Sequence, residues 1–150
     1  LIDMGYEVSG TDISSEAVSI CTDRFGSGMF LEGSVLSLPY PDSSFDYAVA
    51  VHVLEHITDD DMHRAVSEIR RILKPGGYLF IRDFAPGDMR EGSRADSDIV
   101  YIHRSPEDIL AFFDGFSAVS CETVESRTRF GSVRCRAELL LRENDKNPGQ

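Results

Sequence analysis

The run Phe45-Asp46-Tyr47-Ala48-Val49-Ala50-Val51 restricts the fold more tightly than any other stretch of this chain. After its first two residues it is apolar and largely β-branched or small, with no polar face. That pattern predicts a strand in the middle of a parallel sheet, covered on both sides. His52, Glu55 and His56 arrive only where the run ends. They therefore mark the carboxyl edge of the strand, where open α/β sheets bind ligands.

The remainder of the chain supplies elements to surround that strand. Leu1-Ile2-Asp3-Met4-Gly5 reads as the last turn of a helix stopped by glycine. A short strand is predicted over residues 6–11, with Asp12 at its end. Ser14 or Ser15 then caps a helix carrying Ala17, Val18, Cys21 and Phe25, which Gly26-Ser27-Gly28 breaks. Residues 29–32 form a second brief strand, followed by the Gly33-Ser34-Val35 turn and a loop containing Pro39 and Pro41.

Beyond the central strand, Thr58 with Asp59, Asp60 and Asp61 opens a helix, and Arg70, Arg71 and Lys74 close it, as the helix dipole favours. Met62, Val66, Ile69 and Leu73 give that helix one apolar face. Pro75-Gly76-Gly77 ends it and feeds the strand Tyr78-Leu79-Phe80-Ile81, which stops at Arg82-Asp83. Residues 85–104 show no period and are expected to be either mobile or a lid that covers the acceptor.

Ser105-Pro106-Glu107-Asp108 starts another helix, with Ile109, Leu110, Phe112 and Phe113 as its buried face. Strands over 116–128 and 133–142, joined through Phe130-Gly131-Ser132, predict an antiparallel hairpin. The expected fold is α/β: a doubly wound, mostly parallel sheet ending in that hairpin, one domain over residues 1–142 with a disordered polar tail over 143–150.

Composition narrows the function classes. With 150 residues, 41% of them hydrophobic, the chain has material for one core of ordinary size. A net charge of −11 argues against nucleic acid and anionic membrane as partners and favours a small-molecule or protein substrate. Cys21, Cys121 and Cys135 are odd in number and widely spaced, which predicts neither a disulfide framework nor a thiolate metal site. No apolar run approaches the ~20 residues that span a bilayer, so a soluble protein of the reducing cytoplasm is expected.

Five pieces in order resemble the class I S-adenosylmethionine-dependent methyltransferases, of the Rossmann-like type. They are Gly10-Thr11-Asp12-Ile13-Ser14, then Gly33-Ser34-Val35 with Leu38-Pro39-Tyr40, Phe45-Asp46, Val53-Leu54-Glu55-His56, and Leu73-Lys74-Pro75-Gly76-Gly77. The resemblance implies S-adenosylmethionine as cofactor and methyl transfer to an acceptor that the sequence does not identify. It puts Asp12 on the cofactor's ribose hydroxyls and Ile13 on the adenine. The Gly33-Ser34-Val35 turn would read the adenine edge, with Ser34 where the family usually has an acid or amide. Val51 and His52 would border the methionine end. Apart from the resemblance, His52, Glu55, His56, Asp83, Tyr101 and His103 are the available bases for an acceptor that must lose a proton, with His52 and Asp83 taken as the catalytic pair and His56 in reach of the ligand.

The family's first strand and glycine-rich turn have no counterpart, and Gly-x-Gly-x-x-Gly occurs nowhere in the chain. The expectation is an N-terminally truncated form of a longer protein. Its sheet would have to close a gap between residues 6–11 and 48–51, or borrow a strand from a second copy in a homodimer. The missing turn also leaves a non-catalytic binding module as an alternative reading.

His52-Val53-Leu54-Glu55-His56 matches the letters of the His-x-x-Glu-His zinc peptidases, but that geometry needs a helix through the motif. The strand before it and Thr58 after it make this a remote alternative, and no metal is expected. Arg127, Arg129, Arg134 and Arg136 are read as a solvated outer face of the hairpin balanced by Glu122, Glu125 and Glu138, in preference to a phosphate site.

Overall fold

The computed structural model of the chain describes residues 1–91 and 101–145. After a single 3-10 turn (Ile2–Met4), the elements are β1 (Gly10–Asp12), α1 (Ser15–Phe25), β2 (Phe30–Glu32) and β3 (Phe45–Val51). Then follow a 3-10 turn (Leu54–His56), α2 (Asp59–Ile72), β4 (Leu73–Phe84), α3 (Pro106–Leu110), β5 (Phe116–Arg127) and β6 (Val133–Glu143).

The strands form two ladders. β1 and β2 pair in parallel as a two-stranded unit, and the larger sheet has the order β3-β4-β6-β5. β3 and β4 run parallel, whereas β6 is antiparallel to both β4 and β5. The α/β architecture and the terminal hairpin are those the sequence predicts.

One face of the large sheet carries the core. Ala50 on β3, Leu79 and Ile81 on β4, and Ala137, Leu139 and Leu141 on β6 pack with Met62, Ala65, Val66 and Ile69 of α2 and with Ile109 of α3. The period of two along β4 and β6 and the helical spacing in α2 meet there as expected. Ser105 caps α3 through a complete capping box with Asp108. Thr58 is the N-cap residue of α2 but makes no cap hydrogen bond to the backbone; its hydroxyl donates to Asp61 Oδ2 at 3.3 Å.

The opposite face corrects the first expectation. Tyr47, Val49 and Val51 are 65%, 60% and 41% exposed, so β3 is covered on one side only. Both α2 and α3 lie on the core side, and among the described residues β3 pairs only with β4. An apolar run shows that a strand accepts burial on two sides, but not that a layer is present to provide it. β1 is also shorter than predicted, three residues, with β2 as its only ladder partner among the described residues. The gap between β1 and β3 is not closed by pairing among the described residues.

Two boundaries move. α2 ends at Ile72 and β4 begins at Leu73, the ladder to β3 jumping from the Phe45–Leu73 pair to Tyr47–Tyr78 across the Pro75-Gly76-Gly77 segment. Gly77 is obligatory there, since a Cβ would stand 2.9 Å from the Lys74 carbonyl oxygen and 3.1 Å from that of Asp46. β6 continues through Glu143, which the sequence assigns to the tail. Its buried carboxylate accepts from Arg70 Nε at 3.0 Å and from the Gly76 N–H at 3.2 Å. The rest of the predicted tail from residue 146, and residues 92–100 of the predicted lid, lie outside the described residues.

Candidate functional site

The sequence-selected residues fall into two groups at strand ends. The first is built on β1 and β2. Asp12 closes β1, is exposed, and accepts the Ser14 N–H at 2.8 Å; Ser14 in turn caps α1 by accepting the Ala17 N–H at 3.2 Å. Ile13, between them, is 77% exposed. The Gly33 N–H donates to the Asp12 carbonyl at 3.0 Å, which fixes the turn after β2 beside the end of β1. A Cβ at Gly33 would lie 3.0 Å from both Thr11 Cγ2 and Pro39 Cδ, so a larger residue there would have to push those side chains aside. Ser34 Oγ accepts the Leu36 N–H at 3.2 Å, closing a local turn, and Val35 packs against the main core.

The second group is built on β3 and β4. Alternation along β4 sends Leu79, Ile81 and Asp83 to the core side, so Asp83 is carried into the interior by the pleat, with 2% exposure. His52 follows β3 with φ of 57°, a left-handed conformation uncommon for a residue with a side chain. Its N–H still donates to the Arg82 carbonyl at 2.9 Å. The chain then turns through Leu54–His56, which delivers Glu55 to the same interior, also 2% exposed.

Glu55 Oε2 accepts the Phe84 N–H at 2.8 Å and lies 3.2 Å from His52 Nδ1. Asp83 Oδ1 accepts the Val53 N–H at 3.2 Å. Glu55 Oε1 and Asp83 Oδ2 are buried with no hydrogen-bond partner. Burial, and after it the neighbouring Glu55 charge, push the Asp83 carboxyl up to about 7, against the pull of the Val53 N–H, Arg104 and the His52 N–H. A carboxyl in that range exchanges a proton near neutrality, which suits acid–base work.

Aromatic rings and arginines enclose this group. The His52 ring centroid is 4.3 Å from that of Phe84, whose ring also meets Arg90 at 4.8 Å and Arg134 at 5.0 Å. His56 is exposed, its ring 4.9 Å from Tyr101 and its Nε2 3.7 Å from Glu55 Oε1.

Two residues of this region escaped sequence reasoning. Arg104, almost wholly buried, donates to the Leu54 carbonyl at 3.1 Å and the Ile57 carbonyl at 2.8 Å and pairs with Asp59, holding the turn that presents Glu55. Asp88 accepts from Arg134 Nε and from the Cys135 N–H, each at 2.9 Å, so Arg134 belongs to an interior ion pair. Both sit in the aperiodic stretch read as a lid; adjacency to the Ser105 cap was the one available signal for Arg104. The remaining hairpin arginines are held locally, Arg127 donating to the Gly131 carbonyl at 3.2 Å and Arg129 lying over Phe130.

Comparison with known proteins identifies the family and the fold. Residues 1–81 match the family described as methyltransferase domain. A probable methyltransferase, ltbC, of Aspergillus luteorubrus is 40% identical over 85 residues, 55% of this chain and 30% of the fungal protein. The malonyl-[acyl-carrier protein] O-methyltransferase of Pectobacterium atrosepticum is 30% identical over 91 residues, 61% of this chain and 35% of that enzyme. The chain thus spans about a third of the length of these relatives. In structure, an S-adenosylmethionine-dependent methyltransferase of Methanosarcina mazei aligns with a TM-score of 0.79 at 22% identity, covering 95% of this chain and 84% of the other. With more than half of its length matched to the family and its fold matched along nearly all of it, the chain belongs to the class I S-adenosylmethionine-dependent methyltransferases.

Proposed function

We propose that the chain binds S-adenosylmethionine along the carboxyl edge of its strands and takes part in methyl transfer to an acceptor yet to be identified. The observation that carries this reading is the family match over residues 1–81, a span that includes Asp12, the Gly33-Ser34-Val35 turn, His52, Glu55 and His56. Asp12 takes the ribose hydroxyls, since an exposed carboxylate can accept from two neighbouring O–H groups while keeping its bond to the Ser14 N–H. Ile13 and the Val35 backbone flank the adenine. Val51 and His52 border the methionine end, with His56 at its margin.

Methyl transfer from a sulfonium is an in-line displacement, in which holding the acceptor atom, the methyl carbon and sulfur in line contributes up to ~7–11 kcal/mol. The acceptor must also lose any proton that it carries. His52 and Asp83 take that role, the first part-exposed at the rim and the second titrating near neutrality behind it.

Calorimetric titration with S-adenosylmethionine tests the reading. Asp12→Ala is expected to weaken binding at least tenfold, whereas Ser34→Ala, whose hydroxyl already serves the Leu36 N–H, should change it less than threefold. Equal affinity of the unsubstituted chain and Asp12→Ala removes Asp12 from the site. Absence of any binding overturns the cofactor assignment.

A further inference from the structure

We propose that His52, Glu55 and Asp83 form a binding site for one divalent cation of the Zn2+ or Mn2+ type. The inference does not require the methyl-transfer reading, although a cation held there would occupy the proton-accepting positions of His52 and Asp83, and it rests on atoms that the fold leaves unmatched. One donor atom from each of the three side chains lies within 4.8 Å of the other two. Glu55 Oε1 and Asp83 Oδ2 are both buried without a hydrogen-bond partner. Two carboxylates so placed lose hydration and repel each other unless a positive charge or a proton stands between them.

Neither neighbouring arginine fills that role by direct contact, and His56 Nε2 approaches Glu55 Oε1 only to 3.7 Å. Arg104 directs its guanidinium at the Leu54 and Ile57 carbonyls and at Asp59, and Arg134 binds Asp88. A cation with bonds of about 2.0–2.2 Å keeps its ligand atoms about 3.3 Å apart, so groups lying within 4.8 Å of one another need to draw together by up to about 1.5 Å. The half-exposed His52 ring has the freedom to do so, and its Nδ1 already faces Glu55 at 3.2 Å. One imidazole with two carboxylates is a nitrogen–oxygen set suited to Zn2+ or Mn2+ more than to a thiophilic ion. The part-exposed histidine leaves the cation a route in from the rim.

This site differs from the zinc-peptidase pattern in the same letters. That pattern needs His52 and His56 on one helical face, whereas here β3 ends at Val51 and the turn sends Glu55 inward and His56 outward.

The test is calorimetric titration of the chelator-treated full chain with ZnCl2, without S-adenosylmethionine. One cation per chain is expected. His52→Asn, which keeps a residue tolerant of positive φ, and Glu55→Gln should each weaken binding at least tenfold, and His63→Ala, on exposed α2 surface, should leave it unchanged. Pulsed electron paramagnetic resonance of Mn2+ bound to the unsubstituted chain supplies a readout that does not depend on a variant folding: a directly coupled imidazole nitrogen is expected. Failure to bind Zn2+ at one per chain, unchanged affinity in a folded His52→Asn variant, or a Mn2+ spectrum without nitrogen coupling would each overturn the site.

Discussion

Asp83 Oδ2 and Glu55 Oε1 are two carboxylate oxygens buried in one interior without hydrogen-bond partners, one delivered by the end of β4 and the other by the turn after β3. The folded chain therefore holds the Asp83 proton up to about 7, while an unfolded aspartate releases it near 3.8. A group whose folded value is raised contributes most when protonated, and that contribution is lost as pH rises from about 4 through about 7. In metal-free buffer, Asp83→Asn should match the unsubstituted chain near pH 4 and exceed it at pH 8 by on the order of 1–4 kcal/mol, at 1.36 kcal/mol per unit. Urea unfolding of both proteins at each pH provides the difference; a gap that does not widen with pH rules out the raised value.

Arg104 supports the same region from the other side. Arg104→Met keeps the apolar stem but strips the buried Leu54 carbonyl and the part-buried Ile57 carbonyl of their donors, the first costing about 1–3 kcal/mol as a buried unmatched acceptor. It also removes a positive charge that holds Asp83 down, so the Asp83 transition should move to higher pH. Both effects are read from unfolding curves between pH 5 and 9.

Asp88 behaves oppositely to Asp83. Burial raises its carboxyl, but hydrogen bonds from Arg134 and from the Arg90 and Cys135 N–H groups outweigh that and leave it below the usual range. Its stabilisation is thus present at neutral pH and lost as acid protonates it. Asp88→Ala should cost about 3–5 kcal/mol at pH 7, the usual penalty for leaving one partner of a buried pair alone, and less at pH 3. Equal destabilisation at both pH values would contradict the assignment.

Neighbouring residues on β3 and β4 test which face is covered. Leu79→Ala, in the core, should cost about 2–5 kcal/mol. Val49→Thr, on the bare face, should fall within about 0.5 kcal/mol of neutral. Chemical denaturation distinguishes them directly; a Val49 penalty comparable to that of Leu79 would mean that the face is covered in solution.

The sequence was most legible where a local pattern meets a local cause. Met62, Val66 and Ile69 follow the helical period, Cys135, Ala137, Leu139 and Leu141 follow the strand period, and Ser105 with Asp108 is a cap written in four letters. The strand-end positions of Asp12, His52 and Asp83 followed from where apolar runs stop. Less legible was whatever depends on a partner distant in sequence. Tyr47 and Val49 read as interior because nothing local reports a missing layer. Glu143 read as tail because Arg70 lies 73 positions away. Glu55 was placed at the right edge, but its inward aim is set by the turn through Leu54 and by the Phe84 N–H that it receives.

With β4 on one side only, β3 has amides of two kinds. Those directed at β4 are protected by the ladder, and those directed at its free flank have no ladder acceptor among the described residues. Hydrogen–deuterium exchange along residues 45–51 should accordingly alternate, slow and fast, through the strand that carries His52. The backbone that positions the chemistry is thereby also an edge of the sheet, as β5 is at the other side, with one flank unpaired among the described residues.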